Sequence, residues 1–374
     1  MIIQVLSGRR STGPFRWMWA KKFFMLFFCF APPFLAVCLH AGGSPEKKFA
    51  GPSALVQAGD QDFEKTVFAA ADSEPANTGT EKDTGFDGVA ETAAAGNTVP
   101  PAIPPPPSRG ELIMKALAQA YPGRIGAAEF RDGDWAVPIR ETWYYYADGR
   151  LLPQELRSSA AEYDPQPFYL YPAELPPWVD PTEEESERIR SQAQQRALHP
   201  PKRSHHFFDA LWRAANRDES WDRVKSLRFL GRPIYVHYAI LEELALVEER
   251  LLEEAKTNAS LRQWINNIDL LDGWNWRAIA GTESRSFHSY GAALDLLPKS
   301  TGNLATYWLW TSGYKSDWWA VSYSQRLHPP EPVIKAFEAY GFVWGGKWSS
   351  YDTMHFEYRP EVFILNNLPL TTLR

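Results

Sequence analysis

The chain of 374 residues carries 39 Lys and Arg against 45 Asp and Glu, a formal charge of −6, and 44% hydrophobic residues. A chain of this length holds one large domain or two ordinary ones with tails. Its apolar content supports a packed core, and its acidic balance offers no footprint for nucleic acid.

Residues 1–42 read as a signal peptide or N-terminal anchor. Arg9, Arg10, Arg16, Lys21 and Lys22 precede the apolar stretch from Phe23 to Leu39, and Ala41, Gly42 and Gly43 follow it. The stretch is short for a membrane span and is interrupted by Pro32 and Pro33. Met18 offers a later start, and "LAVC" ending at Cys38 loosely resembles a lipoprotein processing box, with Val37 where a small residue is usual. The expectation is export to the periplasm or cell envelope of a bacterium, with membrane attachment or lipidation left open. Both cysteines of the chain, Cys29 and Cys38, lie in this run. The rest can form no disulfide, Cys-ligated zinc site or cysteine nucleophile, so any metal must be held by His, Asp or Glu.

Residues 43–109 are rich in Ala, Gly, Thr, Ser and Pro and close on "PPAIPPPPSRG". Too few large apolar residues are present to offset the entropy of ordering, so a disordered linker with a stiff polyproline end is expected.

Residues 110–226 form an accessory region of unassigned role, either a layer on the domain that follows or a separate partner-binding module. Glu111 to Ala120 reads as a helix. Two hairpin-like pieces follow around Asp-Gly turns. Packing is the favoured reading for Trp143 to Tyr146 over a sugar platform. A polar helix is expected over Pro181 to Arg196, with Glu183 to Glu185 suiting its dipole. His205 and His206 open another helix in solvated or capping roles.

Residues 227–374 are more compact. "FLGRPIYVH" reads as a short strand, followed by an amphipathic helix from Ala239 to about Lys256. A second helix runs from Pro332 to Tyr340 and ends at Gly341. Between them lies "SRSFHSYGAALDLLPK", Ser284 to Lys299. Read as loop then strand, Leu294 and Leu296 face a core and Asp295 points the other way. His288 sits on the entering loop, and the small residues Gly291 and Ala293 leave room for a group to approach. In "WGGKWSSYDTMHFEYRPE", Met354, Phe356 and Tyr358 face a core while His355 and Glu357 share the opposite face, with Asp352 in the entering turn. Two His and one carboxylate leave an open coordination position, as a catalytic zinc requires. The same set suits iron.

The run Ser286 to Asp295, Ser-Phe-His-Ser-Tyr-Gly-Ala-Ala-Leu-Asp, resembles the Ser-x-His-x-x-Gly-x-Ala-x-Asp signature of VanY-type zinc peptidases. These comprise D-alanyl-D-alanine carboxypeptidases and L-alanyl-D-glutamate endopeptidases. "GFVWGGKW" with "DTMHFE" is similar to the second signature of the endopeptidase-like branch, and "WRAIAGT" to the segment leading into the first. The resemblance spans roughly Arg228 to Glu361. It implies an α+β fold in which a small antiparallel sheet carries the metal, with flanking helices, of the Hedgehog/DD-peptidase type.

It also implies one Zn2+ held by His288, Asp295 and His355, with Asp352 as general base. Many carboxypeptidase members carry Glu there, which leaves the peptide bond open. Arg277 matches the family's arginine, and Arg285 is its rival. Glu357 is placed to orient His355. Ser286, Trp344 and Trp348 are assigned to the surroundings of the metal or to the substrate cleft. His237 and His328 match no ligand position. The implied activity is hydrolysis of peptidoglycan stem peptides or cross-bridges. The competing reading is a non-catalytic cell-wall-binding or scaffold protein that keeps the metal site. A serine hydrolase is disfavoured because no Gly-x-Ser-x-Gly elbow occurs. Oligomeric state is not readable.

Overall fold

The computed structural model describes residues 106–371. The signal or anchor segment, and the linker up to residue 105, lie outside the described residues. Among the described residues no helix is long and apolar enough to cross a membrane.

The first helix, α1 (Arg109–Ala120), is started by Ser108, whose hydroxyl accepts from the Glu111 N–H. A four-stranded antiparallel meander follows: β1 (Glu129–Arg131), β2 (Asp134–Ile139), β3 (Thr142–Tyr145) and β4 (Leu152–Pro153). Asp132 and Gly133 join β1 to β2 with φ of 50° and 81°, the pair of positive angles that tight hairpins demand. The polar helix α2 (Glu183–Leu198) opens on a capping box between Thr182 and Glu185. Two short helices, α3 (His206–Trp212) and α4 (Arg217–Arg223), lead into the C-terminal half.

The segment read from sequence as one short strand is a hairpin, β5 (Val224–Phe229) and β6 (Arg232–His237). Leu230 and Gly231 make its turn, with φ of 48° and 77°. Leucine is a poor left-handed residue, which hid the turn. Here its side chain is buried and its N–H is held by Glu248 Oε1 at 2.6 Å.

Then come α5 (Leu241–Ala255), α6 (Ala259–Asn267), β7 (Ile268–Asp272), β8 (Ala293–Pro298), α7 (Trp308–Ser312), α8 (Glu331–Ala339), β9 (Phe342–Trp344), β10 (His355–Tyr358) and α9 (Pro360–Leu365). The strands form an antiparallel sheet in the order β7-β8-β10-β9. Mixed helices and small antiparallel sheets make this an α+β chain. Helix α5 buries Leu244, Val247, Leu251 and Ala255, a stripe at helical spacing, and packs on α8. Phe337 of α8 stacks on Phe356 of β10 with centroids 4.2 Å apart.

One hydrophobic core joins the two halves of the described chain. Ile113, Met114 and Leu117 of α1 share it with Phe207 and Trp212 of α3 and with Leu294 and Phe356 of the sheet. Tyr121, just past α1, meets Trp212 and Tyr358 edge-on at 6.0 and 6.2 Å. Residues on both sides of position 226 therefore bury their apolar surface together.

Candidate metal centre

Strand pairing assembles the site. Asp295 of β8 and His355 of β10 are direct partners in the antiparallel ladder, so they share a face of the sheet. Leu294 and Phe356 pair beside them and enter the core. The alternation of each strand thus hides its apolar residues and turns Asp295, His355 and Glu357 the other way.

His288 arrives from a short 3-10 turn, Phe287–Tyr290. Ser286 caps it, its hydroxyl accepting from the His288 N–H. Gly291 closes the turn at φ 68°, so the strand begins at Ala293 and not at Gly291 as the sequence suggested. The smallness of Gly291 serves the neighbouring hairpin and not a metal. A Cβ there would stand 2.7 Å from the His237 backbone nitrogen, which donates to the Gly291 carbonyl at 2.8 Å.

Three ligand atoms converge. His288 Nε2 lies 3.2 Å from His355 Nδ1 and 3.2 Å from Asp295 Oδ1, and His355 Nδ1 lies 3.0 Å from Asp295 Oδ1. A tetrahedral ion with bonds of ~2.0–2.1 Å spaces its donors by ~3.3 Å, so the triangle is close to the size zinc needs. The tautomers also fit. His288 Nδ1 faces the Gly273 carbonyl at 2.6 Å, which can only accept, so Nε2 offers its lone pair inward. His355 Nε2 faces Glu357 Oε2 at 3.1 Å, so its N–H points there and Nδ1 is the inward atom. Two lone pairs and a carboxylate oxygen pointing at one another call for a cation.

The electrostatics agree. Burial would raise the Asp295 pKa, but the two imidazoles outweigh it and hold the carboxyl well below the usual carboxylate range. Burial opposes charge on His355, yet Asp295 and Glu357, one at each ring nitrogen, push its pKa up to about 10. The cluster favours a positive charge between its three donor atoms.

Behind His355 runs a buried polar chain. Glu357 Oε1 accepts from Arg359 Nη1 at 3.3 Å. Arg359, 1% exposed, also pairs with Glu361 and gives Nη2–H to the Pro167 carbonyl at 3.1 Å. Glu361 Oε2 accepts the Tyr121 hydroxyl at 2.8 Å. The chain therefore runs from His355 to residues at the end of α1 and after β4.

On the other side Asp352 enters from the turn before β10. The residue is partly exposed, but its Oδ1 is buried with no partner. Burial, then the Asp295 charge, raise its pKa to about 7. Tyr307 pairs with Asp352 across an isolated backbone bridge, and burial followed by the Asp352 charge raises its phenol.

Arg277 is exposed, and its charge lowers the pKa of both Asp352 and Tyr307. Its side chain has no hydrogen bond or ion pair among the described residues. The Ser289 hydroxyl clamps its backbone, accepting from Arg277 N at 2.9 Å and donating to its carbonyl at 2.7 Å. Arg285 is engaged elsewhere, paired with Asp209 and lying over the Trp276 ring at 4.4 Å.

Trp348 is half-buried with its ring 5.5 Å from that of His355, and its N–H is given to the Tyr169 hydroxyl. Trp344 is 1% exposed in the core, where its N–H holds the Thr353 carbonyl at 2.9 Å. His237 is buried and donates to the Trp212 carbonyl, and His328 lies edge-on to Trp344 at 4.8 Å. His205 pairs with Asp209 across one turn of α3. Sequence reasoning did not single out Arg359. Arg359, two residues beyond Glu357 with Glu361 two further on, carried a signal in its alternation of charge.

Residues 280–358 match a family model described as D-alanyl-D-alanine carboxypeptidase. The match supports the VanY-type zinc peptidase family. It covers His288, Asp295, Asp352 and His355 and stops before Arg359. Residues 113–168, which include Tyr121 and Pro167, match a domain of unknown function. No curated protein and no solved structure matches the chain.

Proposed function

We propose that this chain is an exported, zinc-dependent peptidase that hydrolyses peptide bonds in peptidoglycan stem peptides or cross-bridges. The bond cut is of the D-alanyl-D-alanine carboxypeptidase or the L-alanyl-D-glutamate endopeptidase type. The observation that carries the reading is the pairing of a convergent His288–Asp295–His355 donor set with an unpartnered, buried oxygen on Asp352. The fold is of the Hedgehog/DD-peptidase type, and the N-terminal segment exports the domain to the cell envelope.

His288 Nε2, Asp295 Oδ1 and His355 Nδ1 would hold the ion. When bound, zinc polarises a carbonyl and makes water acidic enough to ionise near neutral pH. Asp352 accepts the proton of the attacking water at Oδ1 and passes it to the leaving amine. Arg277, whose charge acts on both Asp352 and Tyr307, and the Tyr307 hydroxyl stabilise the developing oxyanion or fix a substrate carboxylate. Glu357 holds the His355 ring, and Trp348 walls the cleft. A scaffold that merely kept its metal would have no use for a carboxylate oxygen, Asp352 Oδ1, kept buried and unpaired, so catalysis is the stronger reading.

Mass spectrometry of muropeptides incubated with the protein, with and without a chelator, tests this. Loss of terminal D-Ala identifies the carboxypeptidase, and a split after L-Ala the endopeptidase. Intact muropeptides from folded, metal-loaded protein contradict the proposal.

A further inference from the structure

Away from the metal centre, a cavity of about 260 Å³ opens where the segment after α1, the β2–β3 turn, the end of α3 and the end of β6 meet. Its walls include Arg124, Arg140 and Arg213, with Gly123, His237 and Tyr238, and no Asp or Glu lines it. Arg124 lies over the Trp212 ring at 5.1 Å and gives Nη2–H to the Ala239 carbonyl at 3.3 Å. Its Nη1 is buried without an acceptor, and so is the indole nitrogen of Trp212, a side chain with no exposure. Arg140 and Arg213 are exposed, and their side chains have no hydrogen bond or ion pair among the described residues.

Three arginines among the lining of one small cavity bring like charges together, and like charges repel. Glu243 acts on Arg124 but does not line the cavity, and His237 adds no charge, since burial pushes its pKa down to about 4. Arg140 and Arg213 also hold left-handed backbone, with φ of 56° and 55°, a conformation that non-glycine residues avoid. Arginines kept at such positions around a cavity without acids point to a ligand that rewards them.

We infer that this cavity is an anion site that takes a phosphoryl group. Guanidinium forks match phosphate oxygens two at a time, and three positive groups are answered better by a dianion than by a single carboxylate. The site is separate from the His288–Asp295–His355 cluster and does not depend on the peptidase reading.

Calorimetric titration of the full chain with inorganic phosphate, glycerol 3-phosphate and acetate tests it, alongside the Arg140→Gln/Arg213→Gln double variant. Both arginines are exposed, and an unchanged Tm in phosphate-free buffer establishes that the variant is folded. The expected result is phosphate binding that weakens by roughly tenfold for each arginine removed, with acetate far weaker. Glycerol 3-phosphate binding more tightly than phosphate marks a soluble ligand. Sedimentation with phosphatidylglycerol vesicles that the double variant loses, without that gain, marks a lipid headgroup. No phosphate binding, binding unchanged in the double variant, or acetate as tight as phosphate would overturn the assignment.

Discussion

Behind His355 each polar group meets its complement. Glu357 takes the ring N–H and one Arg359 nitrogen, Arg359 takes Glu361 and the Pro167 carbonyl, and Glu361 takes the Tyr121 hydroxyl. In front of the cluster the same kinds of group are left unanswered, with Asp352 Oδ1 buried and unpaired and the Arg277 guanidinium free among the described residues. Both sides carry charge, and they differ in whether the charges are satisfied. Buried groups that lack partners cost stability. Asp352 Oδ1 is such a group, and under the proposed function the attacking water supplies its partner. The satisfied side fixes the geometry of the ligands.

Changes on the two sides should therefore separate in their readouts. The largest difference is expected at the front. Arg277→Ala should lower kcat/KM by about 10²–10³-fold, the worth of one charge-stabilising group, while Tm and metal content hold steady. A fall in Tm with little change in turnover would move Arg277 to a structural role.

Behind the cluster, Arg359→Met leaves Glu357 and Glu361 as uncompensated buried charges. A loss of about 3–5 kcal/mol in chemical denaturation is expected. Where the variant still folds, chelator competition should show metal affinity lower by about 10–100-fold.

The cluster itself sharpens the contrast through pH. With His355 raised to about 10, the metal-free site holds a proton at neutral pH that an ion must displace. Apparent metal affinity should then rise about tenfold per pH unit between roughly pH 6 and 9. Affinity that is flat with pH would mean that the proton is not on a ligand.

The smallest effect is expected farthest from the ion. Tyr121→Phe removes one hydrogen bond to a buried carboxylate, costing about 1.5–3 kcal/mol of stability and leaving kcat within a few-fold. Tyr121 lies 240 residues from Glu361 in sequence, so an effect there also ties the segment matched at 113–168 to the half that carries the His288–Asp295–His355 cluster.

The same contrast governs what the sequence discloses. Alternation along 293–298 and 355–358 is enough to set Asp295, His355 and Glu357 on one sheet face, because strand period and core burial are local properties. The helices at 109–120 and 331–339 follow from capping and spacing in the same way. Tyr307 and the Arg359–Glu361–Tyr121 chain are joined to the site only by tertiary pairing, with no periodicity that encodes it. Gly291 misleads for a related reason: its crowding comes from a hairpin more than fifty residues upstream. The turn at Leu230 escaped because buried packing overrode a local backbone preference.

The most direct measurement is zinc content by mass spectrometry together with muropeptide turnover for Asp352→Asn, with His288→Ala beside it. Asp352→Asn should bind zinc at the wild-type stoichiometry while turnover falls by about 10²–10⁴-fold, and His288→Ala should lose both. Wild-type turnover in Asp352→Asn, or its loss of zinc along with activity, would contradict the division between a side that holds the metal and a side that does the chemistry.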